Sequence, residues 1–317
     1  MQITASMVKE LRAQTQAGMM DCKKALTETD GDMAKAVDLL REKGLLKAAK
    51  KSGRIAAEGL VALLISEDKK LGSLVEVNSE TDFVAKNEEF KQFVSDIAET
   101  VLDKKPADIA ELDGVKFKDS DQTVLNVLNE KISKIGENLK IRRFAIETSN
   151  NGSIVGYVHG GGKIGVLVNL ESDADYEDVY TLGKDLAMQI ASMSPKYVAR
   201  EDVDQEYIEH EKSILLAQAV NENEEDVKNG KKAKSETILK GMVEGRLKKE
   251  LKEVCLLEQA FVKDSEKSVK DVVDAKAKEL NKTIKVTSFV RYEVGAGLEK
   301  REENFADEVA KQINSEK

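Results

Sequence analysis

The chain repeats itself, and that repeat constrains the fold more than any other feature of its 317 residues. The segment GLVALLISEDKKLGSLVEVNSETD, starting at Gly59, aligns without a gap with GSIVGYVHGGGKIGVLVNLESDAD, starting at Gly152, an offset of 93 (152 against 59). Gly72 falls over Gly165, Leu74 over Leu167, Val75 over Val168, Ser79 over Ser172 and Asp82 over Asp175. The match continues through Lys91 over Lys184, Ile97 over Ile190 and Ala98 over Ala191. In each copy β-branched runs flank a polar turn, and apolar residues such as Phe90, Phe93, Val94 and Ile97 then recur at helical spacing. The pattern predicts strand, turn, strand, helix, twice over. A third strand is expected for each copy in KIRRFAIE (140–147) and SFVRYEVG (288–295), with the pair Arg143-Phe144 corresponding to Arg291-Tyr292. The expected fold class is α+β: two duplicated lobes, each a small antiparallel sheet backed by helices.

The third strands are unevenly spaced. From Ala98 to Arg143 is 45 residues and from Ala191 to Arg291 is 100, so the second lobe carries an insertion, placed at 199–260. There Tyr207, Ile208, Ile214 and Leu215, and later Ile238, Leu239, Met242, Leu247 and Leu251, set apolar positions along two helices, with the polar run NENEEDVKNGKKAKSE between them. Two helices joined by such a tip predict an antiparallel helical hairpin (a coiled coil). Its apolar stripe needs cover, which the body of the protein or a second copy (homodimerisation) would provide. Residues 1–46 predict a three-helix unit. Thr4 or Ser6 caps a first helix through Met7, Val8 and Leu11, and helices at 21–29 and 32–43 follow around the turn Asp30-Gly31, with Gly44 as a stop. A bundle this small has no cavity and suits protein binding better than chemistry. A basic, Ala-rich linker (47–57) leads to the first lobe (58–148), and the second lobe is assembled from 149–198 and 261–298.

Charge and composition narrow the function. A net charge of −9 argues against duplex nucleic acid as the main ligand, because phosphate neutralisation needs clustered Lys and Arg. Cys22 and Cys255 are too few and too distant for a disulfide framework or a zinc site, which points to a reducing compartment. The N-terminus MQITASMVKEL lacks the basic and apolar regions of a signal peptide, and no apolar run is long enough to span a bilayer. A cytoplasmic protein is expected, with no membrane association. HGGGK (159–163) superficially resembles an oxyanion loop, yet the G-x-S-x-G elbow is missing. It is not a phosphate-binding loop either, because Lys163 is followed by Ile164 and position 157 is Tyr. Under the duplication its glycines overlie Glu67-Asp68-Lys69, a plain hairpin turn. The two His residues, His159 and His210, have no third ligand at metal spacing. No catalytic residue, bound cofactor or metal is expected.

One stretch, SETDFVAKNEEF (79–90), places Phe83 beside Asp82 in a polar setting in a chain with only eight Phe. If a helix starts at Asn87, which can cap it, nothing directs Phe83 to the core. If it starts nearer Thr81, Phe83 lies seven residues before Phe90 and extends a buried stripe. Tyr176, at the equivalent place in the second copy, suits either reading.

Four motifs then stand out together: LRAQTQAGMMDCKKAL (11–26), TDFVAKNEEF (81–90), KIGENLKIRR (134–143) and VRYEVGAGLEK (290–300). In this order, across nearly the whole chain, they closely resemble bacterial elongation factor Ts, the guanine-nucleotide exchange factor of elongation factor Tu. The resemblance implies a ubiquitin-associated-like N-terminal domain, two related core subdomains, a coiled-coil insertion and a short C-terminal helical module (299–317). It also implies that the partner is elongation factor Tu and that the guanine nucleotide and magnesium are the partner's. Within the segment Thr81, Asp82, Phe83 and Val84, Asp82 and Phe83 match the pair that enters the nucleotide-binding domain of that GTPase. Further matching contact positions are Arg12, Met19, Met20 and Lys23, then Ile135 and Gly136, and His159. For Met19 and Met20 the alternative is core filling, and for Arg12 and Lys23 it is solvated charge. The chain departs from the family at Gln16, where Gly is usual, and in an extended hairpin tip around 220–236.

Overall fold

The computed structural model describes residues 3–15, 17–118 and 120–299. Gln16 and, beyond Glu299, the expected C-terminal module lie outside them. Three helices lead: α1 (Ala5–Thr15), α2 (Met19–Glu28) and α3 (Met33–Lys51). The first lobe comprises β1 (Glu58–Ile65), β2 (Leu71–Ser79), α4 (Asp82–Lys86), α5 (Glu88–Lys104), α6 (Ile109–Gly114), α7 (Val124–Ile135) and β3 (Lys140–Thr148). The second begins with β4 (Gly152–His159), β5 (Ile164–Ser172) and α8 (Tyr176–Met193). The hairpin α9 (Gln205–Lys228) and α10 (Glu236–Val254) interrupts it, before the ribbon β6 (Ala260–Phe261) and β7 (Asp264–Ser268), helix α11 (Val269–Leu280) and β8 (Ile284–Glu293). The fold is α+β, with two three-stranded antiparallel sheets ordered β1-β2-β3 and β4-β5-β8.

The duplication extends to register. Gly59 pairs with Asn78 and Gly152 with Glu171, both shifted by the same offset, and the bulge at Glu76/Val77 recurs at Asn169/Leu170. The third strands correspond differently from the sequence expectation. Phe144 lies opposite Val75 and Phe289 opposite Val168, so Arg143 corresponds to Ser288 rather than to Arg291. The difference is three residues, and an odd slip reverses faces. Phe144 and Phe289 each pack toward their own lobe's helices, whereas Tyr292 packs between the sheets. The bulge and the inward-facing aromatic set the register, not the Arg-aromatic dipeptide.

The two sheets meet face to face through Val61, Leu74, Ile154 and Leu167. A Cβ on Gly72 would lie 2.8 Å from Ile154 and 3.2 Å from Leu167, and one on Gly165 would lie 2.6 Å from Leu74 and 3.1 Å from Val61. These neighbours are themselves duplicates of one another, so the lobes pair like the halves of an isologous dimer. The outer faces are covered by α5, through Phe90, Phe93, Val94 and Ile97, and by α8, through Val179, Leu182, Leu186 and Ile190. Glu76, fully buried on β2, ties the chain's two distant motifs together. It accepts hydrogen bonds from Arg142 Nη1 (3.0 Å), Arg143 Nε (2.6 Å), Asn78 Nδ2 (3.1 Å) and the Gly295 amide (2.8 Å). Arg143 also lies 4.2 Å over the Tyr292 ring.

In the leading helices Thr4 Oγ1 accepts the Met7 amide at 3.3 Å, and the core is Val8, Leu11, Cys22, Ala25, Leu26 and Ala36. Helix α3 does not stop at Gly44 but runs through the first part of the expected linker to Lys51. Its continuation packs on α7: Ala48 is buried in the first lobe's core and Lys51 Nζ donates to the Ile132 carbonyl at 3.5 Å. That contact outweighs the roughly 1 kcal/mol preference of Gly against helix. The expected hairpin forms and closes part of its stripe on itself, while Ile214 and Ile238 of the expected stripe stay exposed. Ala219, Leu239 and Val243 are buried between its helices, and Arg246 clamps Glu222 with bonds of 3.0 and 2.5 Å. At its base Leu247, Leu251 and Val203 pack with Tyr207 and Ile208. Among the described residues no helix is long and apolar enough to cross a membrane, and no three His, Cys, Asp or Glu side chains gather as metal ligands.

Candidate partner-binding site

Both cap signals around Phe83 operate. Thr81 Oγ1 accepts the Val84 amide at 3.4 Å and starts α4, and the Asn87 amide closes it on the Val84 carbonyl at 3.0 Å. Asn87 then caps α5, its Oδ1 accepting from the amides of Glu89 (2.8 Å) and Phe90 (3.4 Å). Asn87 is extended, with φ −73° and ψ 130°, so the chain turns a corner there. The seven-residue spacing between Phe83 and Phe90 therefore loses its meaning. Phe90 is fully buried, whereas Phe83 is 79% exposed. Buried Ala85 and half-buried Val84 hold α4 against the lobe.

The surroundings of the ring are ionic. Lys86 Nζ pairs with Asp82 at 2.6 Å and lies 5.8 Å from the Phe83 ring centre. The Lys86 hydrogen bond, opposed by desolvation and helped by the charges of Lys86 and Lys163, holds the Asp82 carboxyl below its ordinary range. Lys163 belongs to the β4–β5 turn. Its amide donates to the His159 carbonyl at 3.1 Å and its ammonium pairs with Glu58 at 2.6 Å. The same turn is fastened to β1, because the Val61 amide donates to the Gly162 carbonyl at 2.8 Å. His159, the last residue of β4, thus leads into a turn anchored beside the first lobe. It is exposed, with Nδ1 2.8 Å from the Tyr157 hydroxyl.

Ile135 and Gly136 end α7. Gly136, at φ 89°, takes the left-handed conformation that glycine favours and its amide donates to the Ile132 carbonyl at 3.0 Å. Ile135 packs on the lobe's core while Gly136 is exposed. The next residue, Glu137, accepts both the Thr81 amide (3.0 Å) and the Thr81 hydroxyl (2.7 Å), which brings Ile135 and Gly136 beside the α4 segment. Sequence reading missed Glu137, because one carboxylate among the chain's many acidic residues carries no local signal.

Met19 and Met20, in the first turn of α2, are 53% and 63% exposed, so core filling falls to Cys22, Ala25 and Leu26 instead. Arg12 on α1 and Lys23 on α2 are exposed as well. Arg12 also lines a cleft of about 700 Å³ between the helical unit and the first lobe, with Asp21, Arg41, Glu89 and Glu130. Burial there pushes the Glu130 carboxyl up. Around α4 the arrangement offers a rigidly mounted aromatic ring and an ionised carboxylate.

A family model described as elongation factor TS matches residues 80–296. The chain is 58% identical over 311 residues to Elongation factor Ts of Clostridioides difficile, covering 98% of this chain and 99% of that one. It is 53% identical over 309 residues to Elongation factor Ts of Clostridium perfringens, covering 98% of each. Against Elongation factor Ts of Clostridium acetobutylicum the identity is 48% over 315 residues, 99% of this chain and 100% of that one.

Proposed function

The chain belongs to the elongation factor Ts family of translation elongation factors, and from that premise we propose that it binds elongation factor Tu carrying GDP and drives the nucleotide out in the cytoplasm. The observation that carries the reading is Phe83, an aromatic left 79% exposed on a helix capped at both ends. A guanine nucleotide is held mainly through its phosphates and a magnesium ion that also orders the switch loops of the GTPase. A ring inserted beside those loops displaces their packing, and the ionised carboxylate of Asp82 disturbs the polar network around the ion. Exchange factor and nucleotide then oppose one another on the GTPase. By linkage the penalty is reciprocal for each nucleotide, so GTP weakens the grip of the factor by the same ratio that the factor weakens the grip on GTP. Each 1.4 kcal/mol of this coupling changes affinity about tenfold. No covalent step is involved, and the nucleotide and magnesium belong to the partner.

The test is elongation factor Tu loaded with a fluorescent GDP. The intact chain is expected to accelerate release, and Phe83→Ala to weaken the interaction by about 2 kcal/mol or more, as for a central aromatic contact. No acceleration by the wild-type chain overturns the proposal.

A further inference from the structure

We infer that Glu137 is a positioning residue, which locks the α4 wedge in register with Ile135 and Gly136 at the end of α7. The inference rests on the exchange function proposed above and adds a residue to it. Glu137 follows the helix-ending Gly136, where the partial negative charge of a helix C-terminus favours a cation over a carboxylate. Its place is therefore unexplained by α7 itself. It is explained by Thr81, whose amide and hydroxyl both donate to its two oxygens, at 3.0 and 2.7 Å, across 56 residues of sequence. The brace is reciprocal. Glu80, the residue before Thr81, accepts the amide of Asn138, the residue after Glu137, at 2.6 Å. Asn138 in turn donates to the Arg54 carbonyl at 2.8 Å, and Arg54 pairs with Glu80 at 3.4 Å. Two carboxylates on opposite segments thus each accept the backbone amide of the residue that follows the other.

The consequence reaches the wedge through one hydroxyl. With its proton given to Glu137, the Thr81 oxygen is free to accept the Val84 amide at 3.4 Å, which is the cap of α4. Helix α4 has five residues, too few to hold its shape without tertiary support. Charge-assisted bonds at its N-cap residue, Thr81, supply that support and fix the direction in which Phe83 leaves the surface.

The test compares the intact wild-type chain with Glu137→Ala and Glu137→Gln. In Glu137→Ala, amide hydrogen exchange at Thr81 and Val84 is expected to accelerate about tenfold or more, with no change at Phe93 and Ile97 in α5. In the fluorescent-GDP assay the concentration for half-maximal release is expected to rise about tenfold at an unchanged maximal rate, since binding must now order α4. Glu137→Gln keeps one acceptor oxygen and is expected to fall between. Unchanged exchange at Thr81 and Val84 overturns the inference. So does a lowered maximal rate at an unchanged half-maximal concentration, which would make Glu137 a direct participant. If Glu137→Ala loses protection throughout α5, Glu137→Gln decides: local loss supports the brace and none refutes it. If the wild-type chain releases no GDP, the exchange function falls, and the hydrogen-exchange comparison still decides the brace.

Discussion

Replacing Glu76 with Ala tests whether one buried carboxylate holds the C-terminal motif onto the first lobe. The side chain is wholly buried and accepts from two guanidinium groups, an amide side chain and the Gly295 backbone. Arg143 also donates to the Glu293 carbonyl at 3.2 Å and Arg142 to the Ala296 carbonyl at 2.5 Å, so both sides of the carboxylate are tied to the end of β8. Removing one member of a buried ion pair ordinarily destabilises by about 3–5 kcal/mol. The Arg side chains are 19% and 34% exposed and regain some water when abandoned, which places Glu76→Ala near the lower bound, about 3 kcal/mol. Chemical denaturation of the full chain, followed by circular dichroism, reads this loss, and Glu76→Gln, with one acceptor oxygen left, should lie between. The pH dependence has a definite sign. Burial alone would raise the carboxyl, but the Gly295 amide and then Arg143 and Arg142 outweigh it and hold the group below its ordinary range. A depressed folded pKa contributes stability that is present above the unfolded value, about 4.3, and lost as pH falls through the folded value. The gap between wild type and Glu76→Gln should therefore be flat near neutrality and shrink in acid. A loss below about 1 kcal/mol for Glu76→Ala, within the range of an ordinary surface hydrogen bond, or a gap that widens in acid, would refute the reasoning.

Three other outcomes follow from the packing. Phe83→Ala should leave unfolding free energy within about 0.5 kcal/mol of wild type, while Phe90→Ala should lose about 3–5 kcal/mol, and equal losses in denaturant titrations would contradict the exposure difference. Gly72→Ala and Gly165→Ala should each destabilise by about 1–3 kcal/mol and by similar amounts, because their contacts are duplicates; a several-fold disparity would argue against the pseudo-symmetric interface. Burial pushes the Cys255 thiol up to about 11, and Cys22 is also buried, so at pH 8 neither should be alkylated until denaturant is added, as mass spectrometry would show.

The duplicated strands were legible because alternation and turn chemistry are local, and the offset carried one copy's reading onto the other. The third strands were found but misaligned by three residues, since the dipeptide that looked diagnostic is not what sets a bulged register. Gly44 looked like a stop because nothing local to α3 announces its packing against α7. Within the site, Thr81 and Asn87 were both readable as caps, and what sequence could not give was that both act, separated by a single turn. Glu80 and Glu137 were invisible for a different reason. Their partners lie 58 and 56 residues away, and a carboxylate gains meaning only from the amide it meets.

The duplication also supplies a control for how an aromatic is kept out of a core. Phe83 corresponds to Tyr176, Asn87 to Tyr180 and Thr81 to Ala174. In the second copy the cap position, Asp175, makes no side-chain cap bond, and α8 runs unbroken for 18 residues. Tyr176 is half-buried against the second lobe's core, 5.4 Å from Tyr180 and beneath Lys69. Continuity of the helix keeps that ring at home. In the first copy Thr81 starts a turn, Asn87 ends it, and the ring between them faces outward. The transfer energy of a Phe side chain, about 1.5–3 kcal/mol, is left unrealised within the lobe and is available to whatever surface receives it. Two cap residues thus separate an exposed ring in the first copy from a half-buried one in the second. Another change has the same character: Glu76 stands where the second copy has Asn169, whose side chain donates to the Thr148 carbonyl at 3.1 Å. The lobes share a strand order, and at these positions they differ in side-chain hydrogen bonding.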